Sequence, residues 1–346
     1  MNAPGSPSFL DGLDAEARAL LLSVARAVAY DPSAVLVRQG DAARGAYILE
    51  AGAVEAIVTL PGSESVAVAT LGPGSVLGEM ALIELGTCTA TVRAASRVTG
   101  WFVAHEDFRA LVTQAHPAAL RLQHAVTAAL AAKVSALNQR MLACAAPEDR
   151  PARMPEIDPL AAVERGPGLS FAAAAFLPQL TLFQRFSAVE IEEVAALGRY
   201  LQLPRGHGVF SAGSPAGAVF VVVRGAVEIV CACGDLERRM AVVGPGQLVG
   251  YLSVLREAEH TATAYTREAS VLLEIPAGAF HAAYFGPSRA SARLRHAVQV
   301  NLLLTLARTN RALTRLLSLE QLSSPNRPDA ALEAAYHAQL ATASPL

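Results

Sequence analysis

The residues with the clearest chemical meaning lie between Gly74 and Val92, in the run Gly-Ser-Val-Leu-Gly-Glu-Met-Ala-Leu-Ile-Glu-Leu-Gly-Thr-Cys-Thr-Ala-Thr-Val. Gly78 precedes Glu79, and Met80, Ala81 and Leu82 can make one helical turn before Ala90-Thr91-Val92 re-enters a strand. N–H groups at the start of such a turn converge and carry partial positive charge, so they suit an anion. A glycine lets a ligand come close to the backbone, and a carboxylate beside it can accept a hydrogen bond from a sugar hydroxyl. Such a loop would cradle a small anionic molecule, and the chemistry also calls for a cation facing the anion.

The loop occurs twice. The stretch containing Arg38-Gln39-Gly40-Asp41 and Gly52-Ala53-Val54-Glu55 returns as Ser211-Ala212-Gly213-Ser214 and Gly225-Ala226-Val227-Glu228, at an offset of 173. Leu71-Gly72-Pro73-Gly74 through Gly78 returns as Val243-Gly244-Pro245-Gly246 through Gly250, at an offset of 172. A unit this long is a duplicated domain rather than a solenoid repeat. Each copy opens with a helical pattern (15–28; 189–200) and continues in brief strands such as 46–49, 53–59, 65–71 and 91–103, separated by Gly, Pro, Asp and Ser. A longer helical pattern closes each copy, 106–143 with a break near Pro117 and 289–317. Residues 145–168 carry five prolines and mixed charge, the composition of a linker. The expected architecture is mainly β with flanking helices: two tandem jelly-roll β barrels, each followed by a long C-terminal helix. Domains are expected at 9–145 and 171–318, joined by a linker at 146–170 and followed by a tail at 319–346.

The Gly78-Glu79 turn, the Arg-x-Gly-Asp turn at 38–41 and the 47–52 segment together resemble the phosphate-binding cassette of the cyclic nucleotide-binding domain family. The resemblance covers nearly all of 9–143 and, through the repeat, reaches about residue 318. It implies a cyclic nucleotide, cAMP or cGMP, in the first copy, held by Gly78, Glu79, Met80, Ala81, Cys88 and Thr89, with Glu79 on a ribose hydroxyl. It also implies an arginine immediately before the Ala-Thr-Val strand to face the phosphate, where this chain has Cys88. A charge-assisted contact of that kind contributes about 1.5–3 kcal/mol, so its loss should weaken binding roughly ten- to hundredfold. The second pocket, at Gly250, Tyr251, Leu252, Ser253, His260 and Thr261, is expected to be degenerate. Tyr251 stands at the carboxylate position and His260 at the arginine position, and Arg256 is offset by Glu257 and Glu259.

Simpler roles compete for two of these residues. Glu79 could do no more than cap the short helix, and Cys88 could be a small buried hydrophobe rather than a redox sensor. Lys plus Arg number 28 against 30 Asp plus Glu, with no run of like charge, so composition does not announce a nucleic-acid partner. The 53% hydrophobic and 17% charged content excludes a disordered chain. Arg121, Lys133 and Arg140 interrupt the densest apolar stretch, 120–144, which therefore reads as a helix outside the membrane. Residues 1–7 carry no secretory pattern, and four cysteines in a chain of 346 residues form no disulfide framework, so the cytoplasm is expected. The eight histidines show no ligand spacing, Cys231-Ala232-Cys233 lacks partners, and neither a metal nor a catalytic residue is expected.

Leu130, Val134, Leu137, Met141 and Cys144 form a coiled-coil-like seam on the first long helix. Val298, Leu302, Leu306, Leu313 and Leu317 line the second. Pairing within the chain as a pseudo-dimer and pairing in a homodimer are both consistent with these seams. Transcription factors of the family append a helix-turn-helix, and the 29 residues from Ser318 to Leu346 are too few for one, so no DNA contact is expected. No Arg-Arg-x-Ser/Ala inhibitory stretch, as in kinase regulatory subunits, precedes Phe9. The expected function is a cytoplasmic stand-alone sensor that binds an anionic effector weakly or in the first domain only, and signals to an unknown protein partner through its helices. The alternative is a ligand-independent interaction scaffold.

Overall fold

A computed structural model of the chain describes residues 9–10, 12–59, 65–84, 86–113, 117–143, 150–151, 175–233 and 236–323. The described residues fall into two compact units, one reaching Ala136 and the other running from Leu137 to Ser323.

The first unit begins with α1 (Ala15–Val24), whose N-cap Asp14 accepts a 2.8 Å bond from the Ala17 N–H. The strands follow: β1 (Arg26–Tyr30), β2 (Val35–Val37), β3 (Gly45–Ala51), β4 (Val54–Thr59), β5 (Ser65–Leu71) and β6 (Val76–Leu77). Then come the short α2 (Met80–Ile83), β7 (Thr91–Ala94), β8 (Val98–Ala104), α3 (His105–Thr113) and α4 (Pro117–Ala143), whose residues from Leu137 onward belong to the second unit. Two antiparallel sheets result, in the orders β1-β8-β3-β6 and β2-β7-β4-β5. Alternating apolar residues of both sheets, among them Leu36, Leu49, Val54, Leu77, Val92 and Val98, fill the space between them.

The second unit repeats this plan. After β9 (Arg150–Pro151) and two 3-10 turns come α5 (Ala188–Ala195), β10 (Arg199–Leu203), β11 (Gly208–Phe210), β12 (Ala218–Arg224), β13 (Val227–Cys233), β14 (Leu236–Val243) and β15 (Leu248–Val249). They are followed by α6 (Tyr251–Leu255), β16 (Thr263–Thr266), β17 (Ser270–Pro276), α7 (Ala277–Phe285) and α8 (Arg289–Ser323). The sheets have the orders β10-β17-β12-β15 and β11-β16-β13-β14-β9, the first unit's orders with β9 added at one edge. Ser187 and Glu190 form a reciprocal capping box at the start of α5.

The expected mainly-β tandem architecture is therefore present, as four antiparallel sheets with helices. Element ends differ from the sequence reading. The helix expected over 15–28 stops at Val24, because Val28 pairs with Gly100 in the sheet. The extended run 91–103 is two strands with a turn between them. Gly52 and Gly225, one repeat apart, both take φ +86, and a Cβ on either would lie under 3.0 Å from neighbouring backbone, so these turns need glycine in both copies.

Candidate functional site

At the two candidate loops the chain makes the same crossover twice. In the first unit β6 leads through Gly78 into α2 and then to β7; in the second β15 leads through Gly250 into α6 and then to β16. Gly78 has φ +71 and Gly250 φ +79, the left-handed turn that aims the following helix. A Cβ on Gly78 would sit 2.8 Å from the Gly45 carbonyl oxygen.

In the first unit the Ala81 N–H closes onto the Gly78 carbonyl at 2.9 Å and the Leu82 N–H onto the Glu79 carbonyl at 3.1 Å. The amides left to meet an anion are those of Glu79 and Met80. Ala81 is buried and its carbonyl oxygen lies 2.6 Å from Nδ1 of the buried His105 at the start of α3, which fixes the turn from behind. Glu79 occupies the N-cap position of α2 yet makes no capping bond with its side chain. Its side chain is 7% exposed, and Oε1 lies 2.7 Å from Nζ of Lys133 on α4. Lys133 Nζ also donates to the Val76 carbonyl at 3.2 Å. Glu79 thus stands at the start of the short helix, as the simpler reading has it, and also pairs with the long helix.

Cys88 is held by backbone alone. Its N–H donates to the Asp41 carbonyl and its own carbonyl accepts from the Gly40 N–H, both at 2.8 Å. The turn at 38–41 therefore docks on the far end of the cassette. Burial and the nearby Asp41 carboxylate push the Cys88 thiol up, which keeps it protonated and unreactive near neutrality. Thr89 is exposed beside it. Arg93, a nearby cation in sequence, pairs with Glu55 at 3.0 Å instead, so the anion side of this cassette has gained no replacement from that strand.

The second unit keeps the backbone and changes the chemistry. The Gly213 N–H donates to the His260 carbonyl at 2.8 Å and the His260 N–H to the Ser214 carbonyl at 2.9 Å, the counterpart of the Gly40–Cys88–Asp41 dock. The His260 ring stacks on Phe210, with centroids 3.8 Å apart and planes 10° apart. It is 4% exposed, and burial pushes its imidazole below the usual histidine range, so it is neutral where a cation would be needed. Tyr251 is buried, its hydroxyl pushed up to about 12 by burial. That hydroxyl lies 3.2 Å from Oγ1 of Thr305 on α8. Ser253 is buried with it, Leu252 is half-buried and Thr261 exposed. A cavity of about 120 Å³ remains, lined by Phe210, Ile229, Ala241, Leu304, Thr305 and Arg308 among others. Glu257 turns its carboxylate to His281 of α7, 3.7 Å away.

The structure adds two residues that sequence reasoning did not assign to the site, Lys133 and Thr305. They stand 172 residues apart, the same offset that relates Glu79 to Tyr251 and Cys88 to His260. Both copies thus tie the second residue of the cassette to an equivalent position on the long helix, by an ion pair in one and a neutral hydrogen bond in the other. The signal available for Lys133 was a charge set in an otherwise uncharged run of the helix, between Ala125 and Leu137. Seam residues Leu130, Val134 and Met141 are buried in the single chain, as are Val298, Leu302, Leu306 and Leu313, while Leu137 is half-buried. Cys144 and the side chain of Leu317 lie outside the described residues. Among the described residues no cluster of three or more His, Cys, Asp or Glu could hold a metal, and no helix is long and apolar enough to cross a membrane.

Comparison with known proteins gives matches to both units. The family described as "Cyclic nucleotide-binding domain" matches residues 27–115 and 200–285, together about half of the chain. A CRP-like cAMP-activated global transcriptional regulator of Mycobacterium tuberculosis H37Rv is 34% identical over 85 residues, which is 23% of this chain and 38% of that protein. The cyclic AMP receptor protein of Thermus thermophilus is 32% identical over 108 residues, 31% of this chain and 50% of that protein. The chain thus spans half or less of the length of these relatives. Among solved structures, the regulatory domain of Toxoplasma gondii PKA with cAMP aligns over 87% of this chain and 92% of that one, at 18% identity and a TM-score of 0.32.

Proposed function

Because the chain belongs to the cyclic nucleotide-binding domain family, we propose that it is a cytoplasmic regulatory protein, not an enzyme, whose first domain weakly binds a cyclic nucleotide or a similar small anionic effector. The cradle is formed by Gly78, the amides of Glu79 and Met80, the Glu79 carboxylate, and the Cys88–Thr89 end of the loop. Effector hydroxyls would reach Glu79, and the phosphate would meet backbone amides without an arginine. The second domain then serves as the partner-facing or structural copy, because its cassette has Tyr251 in place of the carboxylate and the buried His260 in place of the cation.

The observation that carries this reading is the Glu79–Lys133 pair. A buried carboxylate that a ribose-like hydroxyl would need is already engaged by a cation from α4. An effector that binds Glu79 displaces or re-aims Lys133, so occupancy changes what α4 touches. The buried seams favour a readout within one chain over a homodimer, since a second copy is not needed to cover them.

Calorimetric titration with cyclic AMP, cyclic GMP and cyclic di-GMP tests the proposal, with Glu79→Ala as control and amide exchange along α4 as the readout of coupling. Heat that disappears in the variant, together with altered exchange around Lys133, is expected. Absence of heat and of thermal shift up to about 1 mM ligand, a free energy near −4 kcal/mol, would instead leave the ligand-independent scaffold.

A further inference from the structure

The two copies of the repeat differ sharply at one outer corner of the second. Strand register fixes the correspondence. Val35 pairs with Arg93 as Gly208 pairs with Tyr265, and Ile57 pairs with Ala67 as Val230 pairs with Arg239. The Ser33 N–H donates to the Ala94 carbonyl at 2.8 Å as the Gly206 N–H donates to the Thr266 carbonyl at 2.7 Å, and both donors have positive φ. By this register Pro32, Ala67 and Ala95 of the first copy become Arg205, Arg239 and Arg267 of the second. In the first copy the corner holds one balanced pair, Glu55 with Arg93. The second keeps the carboxylate as Glu228, sets Tyr265 opposite it, and adds three guanidiniums.

Arg205, Arg239 and Arg267, with Gly206, Glu228, Tyr265 and Thr266, line a hollow of about 410 Å³. Glu228 is 4% exposed at its base, with Oε1 3.9 Å from Arg239 Nε. Arg205 and Arg267 are exposed, and neither guanidinium has an acidic partner within ion-pair distance among the described residues. Three guanidiniums and one carboxylate line the hollow, and the buried Glu237 carboxylate accepts from the hydroxyl of the lining Tyr265 at 3.3 Å. Val227 and Ile229 face the core while Glu228 between them points the other way. The hollow therefore lies on the outer face of the sheet, separate from the cassette cavity that Ile229 and Ala241 line on the inner face.

We propose that this corner is a binding site for a doubly charged phosphate group carried on a small ester. Guanidinium forks match phosphate oxygens two at a time, and the two exposed guanidiniums without an acidic partner, Arg205 and Arg267, match the two charges of a phosphomonoester dianion better than the single charge of a cyclic phosphodiester. The hollow exceeds the phosphate itself, which leaves room for the esterified part.

Titration of the full chain with glycerol phosphate at constant ionic strength tests this, with citrate as an anion of different shape. One site per chain is expected, weakened about ten- to hundredfold in Arg205→Gln/Arg267→Gln, with the circular dichroism unchanged and the affinity the same with or without cyclic AMP. Four results would overturn the proposal: no binding up to about 10 mM, equal affinity in the double variant, citrate binding as tightly as the ester, or displacement of the ester by cyclic AMP, which would place it in the cassette.

Discussion

At the scale of single residues, the cassette of the first domain is defined by one substitution and one pairing. Cys88 takes the place at which the family carries a cation, and Asp41 beside it adds a negative charge. Cys88→Arg should therefore tighten cyclic nucleotide binding by roughly ten- to hundredfold, read by calorimetry; an unchanged affinity would mean that the phosphate does not approach this end of the loop. His260 makes a separate prediction. Burial depresses its folded pKa below the ordinary value of 6.5, so the unfolded chain binds the proton more readily. Stability is held above about pH 6.5 and declines as pH falls below it towards the folded value. His260→Phe, which keeps the stack on Phe210, should flatten that decline in urea titrations between pH 7.5 and 5. The identities of Glu79, Cys88, Tyr251 and His260 were legible in sequence because the Gly-anchored turn recurs. The partner of Glu79 was not, since 54 residues separate it from Lys133 and nothing local records which helix face returns to the loop.

At the scale of elements, the cassette helices are too short to be stable alone and are held by what packs behind them. His105 braces α2 through the Ala81 carbonyl, and His281 Nε2 lies 2.9 Å from the Val254 carbonyl of α6. Arg295 plays a comparable part for α7. Its Nη1 donates to the Tyr284 and Gly286 carbonyls at 2.7 and 2.8 Å, satisfying the C-terminal end of that helix from inside α8. Arg295→Met should lower stability by about 2–3 kcal/mol, because it leaves buried carbonyls without a donor, and the loss should appear as a lower denaturation midpoint with little change in slope. Strands and long helices were readable from alternation and from breaks at Gly and Pro. Their ends were not: α1 yields to β1 at Arg26 because the sheet edge of β8 needs a partner, a tertiary demand that helical periodicity does not contain.

At the scale of the whole molecule, the duplication was visible in sequence and the divergence of its copies became interpretable only through strand register. Matching backbones carry different chemistry: a Glu79–Lys133 ion pair in one domain, a Tyr251–Thr305 hydrogen bond and a stacked His260 in the other. Cyclic AMP should accordingly bind with a stoichiometry of one per chain, and two equal sites in equilibrium dialysis would refute the assignment of His260 and Tyr251 as non-binding. The paired tethers carry one more consequence. The Lys133 side chain is 43% exposed, so mobile ions reach the first tether, whereas the Tyr251–Thr305 bond carries no charge for them to screen. Concentrated electrolyte should loosen one helix from its loop and leave the other fastened, which makes the molecule's two halves unequal listeners to the salinity around them.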